Sequence, residues 1–164
     1  MSGLTNLQYL ELSRNEISDI ASLEKLTQLS ALYLSGNRIS NINAIQNLHK
    51  FSSLYLDGNK VSDLKPLVEI RNLSSLDLSG NQSDLKSLVV MAKKDFEGEK
   101  LVPYLFLSIH GNPLNAAAKA QLAELKGYGV RLEPEEPTTI SHKSDAQKAT
   151  AGSSKKKAST QTKK

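Results

Sequence analysis

The sequence predicts an α/β solenoid, in which about five short coils stack around one core and share a parallel sheet. Three observations predict it. Asn15, Asn37, Asn59 and Asn81 recur every 22 residues. Each closes the same phrase: Leu7-x-x-Leu10-x-Leu12-x-x-Asn15, then the equivalents starting at Leu29, Phe51 and Leu73. Each phrase is followed by apolar residues that are also in phase, such as Ile17, Ile20 and Leu23 after the first. A period of this length is the mark of a repeat architecture whose units contact only their neighbours.

The elements follow from the phrase. Leu10-x-Leu12 alternates with period two, so each phrase predicts a short strand with one buried face. The return stroke carries Ile17, Ile20 and Leu23 in coil one, Ile39, Ile42, Ile45 and Leu48 in coil two, and Val61, Leu64, Leu67 and Ile70 in coil three. A single coil cannot bury these side chains. Stacked coils can, at roughly 1.5–3 kcal/mol for each large residue, with strands about 4.8 Å apart. The Asn residues occupy a turn that would otherwise leave backbone N–H and C=O groups unpaired. An amide side chain supplies both donor and acceptor, which predicts a structural ladder of Asn15, Asn37, Asn59, Asn81 and Asn112.

Coil four breaks the pattern. Asn81-Gln82-Ser83-Asp84-Leu85 is one residue short of its counterparts and lacks the Ile. Leu85, Leu88, Val89 and Ala92 have helical spacing, which predicts a convex-side helix from Asp84, as N-cap, to about Phe96, within an insertion over 84–100. The phrase resumes at Leu101 and reaches Tyr104-x-x-Leu107-x-Ile109-x-x-Asn112. The apolar run from Leu101 to Ile109 has the length of a buried strand and not of a membrane span. Over 113–133, Asn115 reads as a second N-cap, the alanines as helix formers and Gly127 as the stop, with a last strand at Val130 and Leu132.

The phrase L-x-x-L-x-L-x-x-N-x-I resembles the leucine-rich-repeat signature, in the 22-residue class that includes phosphatase regulatory subunits and the internalin adhesins. The resemblance covers roughly Leu4 to Leu132. It implies a right-handed solenoid with a concave sheet, a C-terminal helical cap over 113–133, and a role as a scaffold or regulatory subunit that binds another protein on the concave face. An adhesin-type module of a secreted parent is the alternative it implies. No cap precedes Leu4-Thr5-Asn6-Leu7, which is already in phase. The expectation is a fragment of a longer solenoid, or an N-terminal edge that pairs with another chain.

Composition narrows the function classes. The chain has no cysteine, which removes disulfide-capped architectures and Cys-based metal sites. No basic-then-apolar stretch opens it, so a cytoplasmic location is expected. His49, His110 and His142 lack metal-ligand spacing, and there is no Gly-rich phosphate loop. Neither cofactor, metal nor intrinsic catalysis is expected. Asn72 and Asn81 match the glycosylation sequon, but a buried Asn81 would not be accessible. Residues 1–133 hold 14 basic and 14 acidic side chains, whereas 134–164 hold 7 Lys and 3 acids. That Lys/Ser/Thr/Ala-rich tail contains one large apolar residue, Ile140, so disorder is expected. Its lysines could touch nucleic acid or an anionic membrane, which makes a tether the third reading; the lack of aromatic residues weakens the nucleic-acid form of it.

The candidate binding face is the set of residues flanking the strand leucines. The central row is Glu11, Tyr33, Tyr55, Asp77 and Ser108. The row before it is Tyr9, Ala31, Ser53, Ser75 and Phe106, and the row after it is Ser13, Ser35, Asp57, Ser79 and His110. Tyrosines among serines suit a protein interface. The acids Glu11, Asp57 and Asp77 favour a partner carrying Lys or Arg.

Overall fold

The computed structural model describes residues 4–97 and 105–133. Six strands, β1 Tyr9–Glu11, β2 Ala31–Tyr33, β3 Ser53–Tyr55, β4 Ser75–Asp77, β5 Phe106–Ser108 and β6 Arg131–Glu133, form one sheet in chain order. All neighbours are parallel, and Leu10, Leu32, Leu54, Leu76, Leu107 and Leu132 pair in a single line. The four central members of that line are fully buried, while Leu10 and Leu132 at the sheet's ends are half-buried. The sequence placed about five coils and a last strand; β6 is that strand, and it continues the sheet in register.

The return strokes of coils one to three are 3₁₀ turns at Ala21–Lys25, Asn43–Ile45 and Lys65–Leu67. Their short span suits a 22-residue coil, in which few residues remain for the convex side. A second ladder, noticed in the sequence only at Asp84, opens each stroke. Asp19, Asn41, Asp63 and Asp84 each accept, through Oδ1, the backbone N–H two residues on, at 2.8–3.0 Å. Short polar side chains favour this local turn over continued strand.

In coil four the stroke becomes helix α1, Lys86–Glu97, with Leu88, Met91 and Ala92 buried. Ser83 stands where Ile17, Ile39 and Val61 stand in the other coils. Its buried hydroxyl donates to the Val61 carbonyl at 2.9 Å, so the missing Ile is replaced by a hydrogen bond to the neighbouring coil. The remainder of the expected insertion, 98–100, and Leu101–Tyr104 of the apolar run lie outside the described residues. So does the 134–164 tail.

Helix α2, Ala118–Gly127, packs beside α1. It corrects two expectations. Asn115 does not cap the helix; its Oδ1 accepts the Ala117 N–H at 2.9 Å and shapes the turn before it. Gly127 is the last helical residue, and the left-handed position is Gly129, with φ of 85°. The Val130 N–H reaches the Leu125 carbonyl and the Gly129 N–H reaches Lys126. That is the paired Schellman closure, with Leu125 and Val130 supplying its buried apolar contact.

The Asn ladder is doubly linked. Asn37 Nδ2 donates to Leu12 O of the preceding coil and to Leu34 O of its own, and its Oδ1 accepts the Ile17 N–H. Asn59 repeats this with Leu34, Leu56 and Ile39, and Asn81 with Leu56, Leu78 and Val61. Asn112 closes the series on Leu78, Ile109 and the Ser83 N–H. Asn15 departs from the expected ladder. It is exposed and bonds only Leu12 O and Ser13 O of its own coil, because no described coil lies before it.

Candidate partner-binding face

The register brings the first two expected rows to one side of the sheet. Tyr9, Ala31, Ser53, Ser75 and Phe106 form one row, and Glu11, Tyr33, Tyr55, Asp77 and Ser108 the next. Strand β6 extends both rows with Arg131 and Glu133, which the sequence reading did not assign. The signal was present: Arg131-x-Glu133 brackets Leu132 just as Tyr9-x-Glu11 brackets Leu10. The Arg131 guanidinium lies over the Phe106 ring, 5.6 Å from its centroid.

Three tyrosines form a continuous stack across coils one to three. Tyr33 and Tyr55 stack face to face, 4.8 Å apart with planes 5° from parallel. That separation equals the strand spacing, so in-register pairing alone brings the two rings into contact. Tyr9 joins from the adjacent row, tilted by 40° with its centroid 5.0 Å from that of Tyr33. Tyr9 is the most exposed of the three, at 55%. The Tyr55 hydroxyl meets Ser75 Oγ at 3.1 Å, which anchors the ring toward coil four. The phenol of Tyr33 is held above its ordinary pKa, chiefly by desolvation between its neighbours and then by Tyr9, Tyr55 and Glu11.

The acids are spread along the face. Glu11 accepts the Ser13 N–H at 2.7 Å, and its carboxyl is lowered below the usual range by the bonds from Ser13. Asp77 uses Oδ1 to accept the Ser79 N–H at 2.9 Å. Asp57 accepts the Ser35 hydroxyl. At the far end His110 Nδ1 lies 2.9 Å from Ser79 Oγ and 3.1 Å from Ser108 Oγ, and the two hydroxyls are 2.7 Å apart. Both serines share the one ring nitrogen, and among the described residues no carboxylate is bonded to the other. No cluster of metal-ligating side chains occurs among the described residues. No described helix is long and apolar enough to cross a membrane.

A short return stroke, a parallel strand and a repeated Asn, buried in the central coils, define a leucine-rich-repeat solenoid. The chain carries leucine-rich repeats. A family profile of leucine-rich repeats in two copies matches residues 5–47. Among solved structures, the chain is similar to an internalin from Listeria monocytogenes, at 26% identity and a TM-score of 0.64, covering 79% of this chain and 35% of that one. It is similar to internalin C2 of the same organism at 27% identity and a TM-score of 0.61, over 80% of this chain and 54% of that one. A leucine-rich-repeat protein of Leptospira interrogans shares the fold at 24% identity and a TM-score of 0.60, over 79% of this chain and 38% of that one. The chain thus spans between about a third and a half of the length of these structures. None of the curated proteins matches it. Domains of this family commonly bind other proteins.

Proposed function

We propose that the protein is a non-catalytic interaction module, a scaffold or regulatory subunit, whose partner is a protein bound on the concave face. The observation that carries this reading is the stack of Tyr9, Tyr33 and Tyr55, set among serines and flanked by Glu11, Asp57 and Asp77. Stacked rings on a rigid sheet offer contact area with little side-chain entropy left to lose, as anchor residues of interfaces do. Phe106, Ser108 and His110 extend the surface toward coil five. A cytoplasmic setting is the location that goes with this reading.

The test is affinity capture from the source cell lysate with wild type beside Tyr33→Ala/Tyr55→Ala, the fold of both checked by circular dichroism. A specific protein lost in the folded double variant supports the concave face. An unchanged set of captured proteins refutes it.

A second reading, an adhesin-type module of a longer secreted parent, is favoured by the likeness to two internalins of which the chain spans only part. Fractionation of the source cells separates the two: strictly cytosolic protein rules out the adhesin. The basic tail as a nucleic-acid or membrane tether is a third role, and deleting 134–164 would remove that activity while sparing partner capture.

A further inference from the structure

The tyrosine stack ends abruptly. One face of Tyr55 is covered by Tyr33; the other looks toward coil four, where the side chain directly paired with it is the short Asp77. Every neighbour on that side is also short: Ser75, Ser79 and Ser108. The next bulky side chains belong to coil five: Phe106 on β5, two strands on but in the adjacent row, in line with Ser53, and His110 beside Ser79 and Ser108. A slot is left between an aromatic face and these side chains, floored by hydroxyls and one carboxylate. Asp77 has one oxygen engaged by the Ser79 N–H. Among the described residues no cation pairs with it.

We propose that this slot receives an arginine side chain from the partner protein. The inference rests on the concave-face reading and deepens it. A guanidinium placed on the open face of Tyr55 would lie within the ~6 Å that cation–π attraction requires. Its planar edge would point N–H groups at the Asp77 carboxylate, with Ser75 and Ser108 oxygens as further acceptors. Lysine fits less well, because a compact ammonium neither stacks on the ring nor forms paired bonds to a carboxylate. The same face already contains one such contact, Arg131 over Phe106. The carboxylates of Glu11, Asp57 and Glu133 surround the slot at greater distance and would attract a basic segment before it docks.

The experiment is an amide-shift titration of the full, isotope-labelled chain with N-acetyl-arginine methylamide, beside the lysine equivalent at equal ionic strength. The arginine probe is expected to shift Tyr55, Asp77, Ser79 and Ser108, and to bind at least about threefold more tightly than the lysine probe. Asp77→Asn should weaken the arginine probe by about threefold to tenfold while leaving the other amides in place. Tyr55→Phe should retain binding and Tyr55→Leu should lose it. Equal affinity for the two probes, or undiminished binding to Asp77→Asn, overturns the proposal. Shifts centred on Tyr9, Tyr33 and Glu11 overturn the slot and leave the concave-face reading standing. Capture of the partner by the Tyr33→Ala/Tyr55→Ala protein defeats that parent reading whatever the titration gives.

Discussion

Replacing Asn59 with Ala separates the two kinds of hydrogen bond in the ladder. Asn59 accepts the Ile39 N–H at 2.9 Å and donates to Leu34 O and Leu56 O, each at 2.9 Å. A fourth, longer contact runs to Asp57 O at 3.4 Å, and the losses are not equal. Leu34 O also receives Asn37, and Leu56 O also receives Asn81, so each carbonyl keeps one partner. Only the Ile39 N–H is orphaned, next to the fully buried Ile39 side chain. An unsatisfied buried donor costs about 1–3 kcal/mol, and each lost second bond about 0.5–1 kcal/mol. The sum is about 3 kcal/mol. Asn15→Ala removes only two local bonds to carbonyls at an exposed position, so its cost should stay below about 0.5 kcal/mol. Urea unfolding followed by circular dichroism at equal m-value reads both. If the two variants unfold at the same urea concentration, the ladder does not hold the coils together in the way described.

Two further outcomes concern stability. Arg14 has φ of 57° at the position where coils two to five place Gly36, Gly58, Gly80 and Gly111. A side chain in the left-handed region costs about 1–2 kcal/mol, partly offset by the greater freedom glycine has when unfolded, so Arg14→Gly should stabilise by about 0.5–1 kcal/mol. Gly58→Ala should destabilise by about 1–2 kcal/mol for the converse reason. Thermal unfolding of the pair should give opposite shifts, and shifts of one sign would contradict the strain argument. The second outcome is a pH dependence. Glu69 is lowered from the usual carboxylate range chiefly by its hydrogen bond and charge contact with Lys94, which tie the third return stroke to α1. A carboxyl depressed by folding contributes stability above its unfolded pKa and loses that contribution as pH falls through the folded value. The stability difference between wild type and Lys94→Met should therefore be present at pH 7 and vanish in acid; a difference that persists at low pH would count against the pair.

What the sequence revealed and what it withheld divide along physical lines. The leucine rows, the Asn ladder and the in-register tyrosines are properties of a period, and a period can be counted. Thus Tyr33 and Tyr55 were placed on adjacent coils from spacing alone, and their rings do touch. The misreadings lie where a residue's role depends on a neighbour the period does not supply. Asn15 carries the ladder residue but has no described coil before it to bind. Gly127 reads as a helix stop, yet the chain continues two residues until the Leu125–Val130 contact can close the Schellman turn at Gly129. Ser83 looks like a defect in coil four, and it becomes a buried bond to Val61 only once the stacking is known. Arg131 and Glu133 were missed because a single Leu132 between them is too little repeat to count.

The same division explains why the proposed binding face is the part of the molecule free to be particular. Leu, Asn and the left-handed glycine are fixed by contacts with the coils on either side, so any change there is felt along the stack. The x positions between the leucines have no such duty; they need only tolerate a strand. On this chain those positions are not filled evenly. Bulk is gathered at Tyr9, Tyr33 and Tyr55, short side chains follow at Ser75, Asp77 and Ser108, and bulk returns at Phe106 and Arg131. Core packing has no use for that order, since all of these side chains lie on the face away from the leucines. A ridge, a gap with one carboxylate and a second ridge form a relief with a defined chemistry. Under the concave-face proposal a partner would carry a complementary projection, and the proposed arginine slot and the tyrosine stack would then act as parts of one surface.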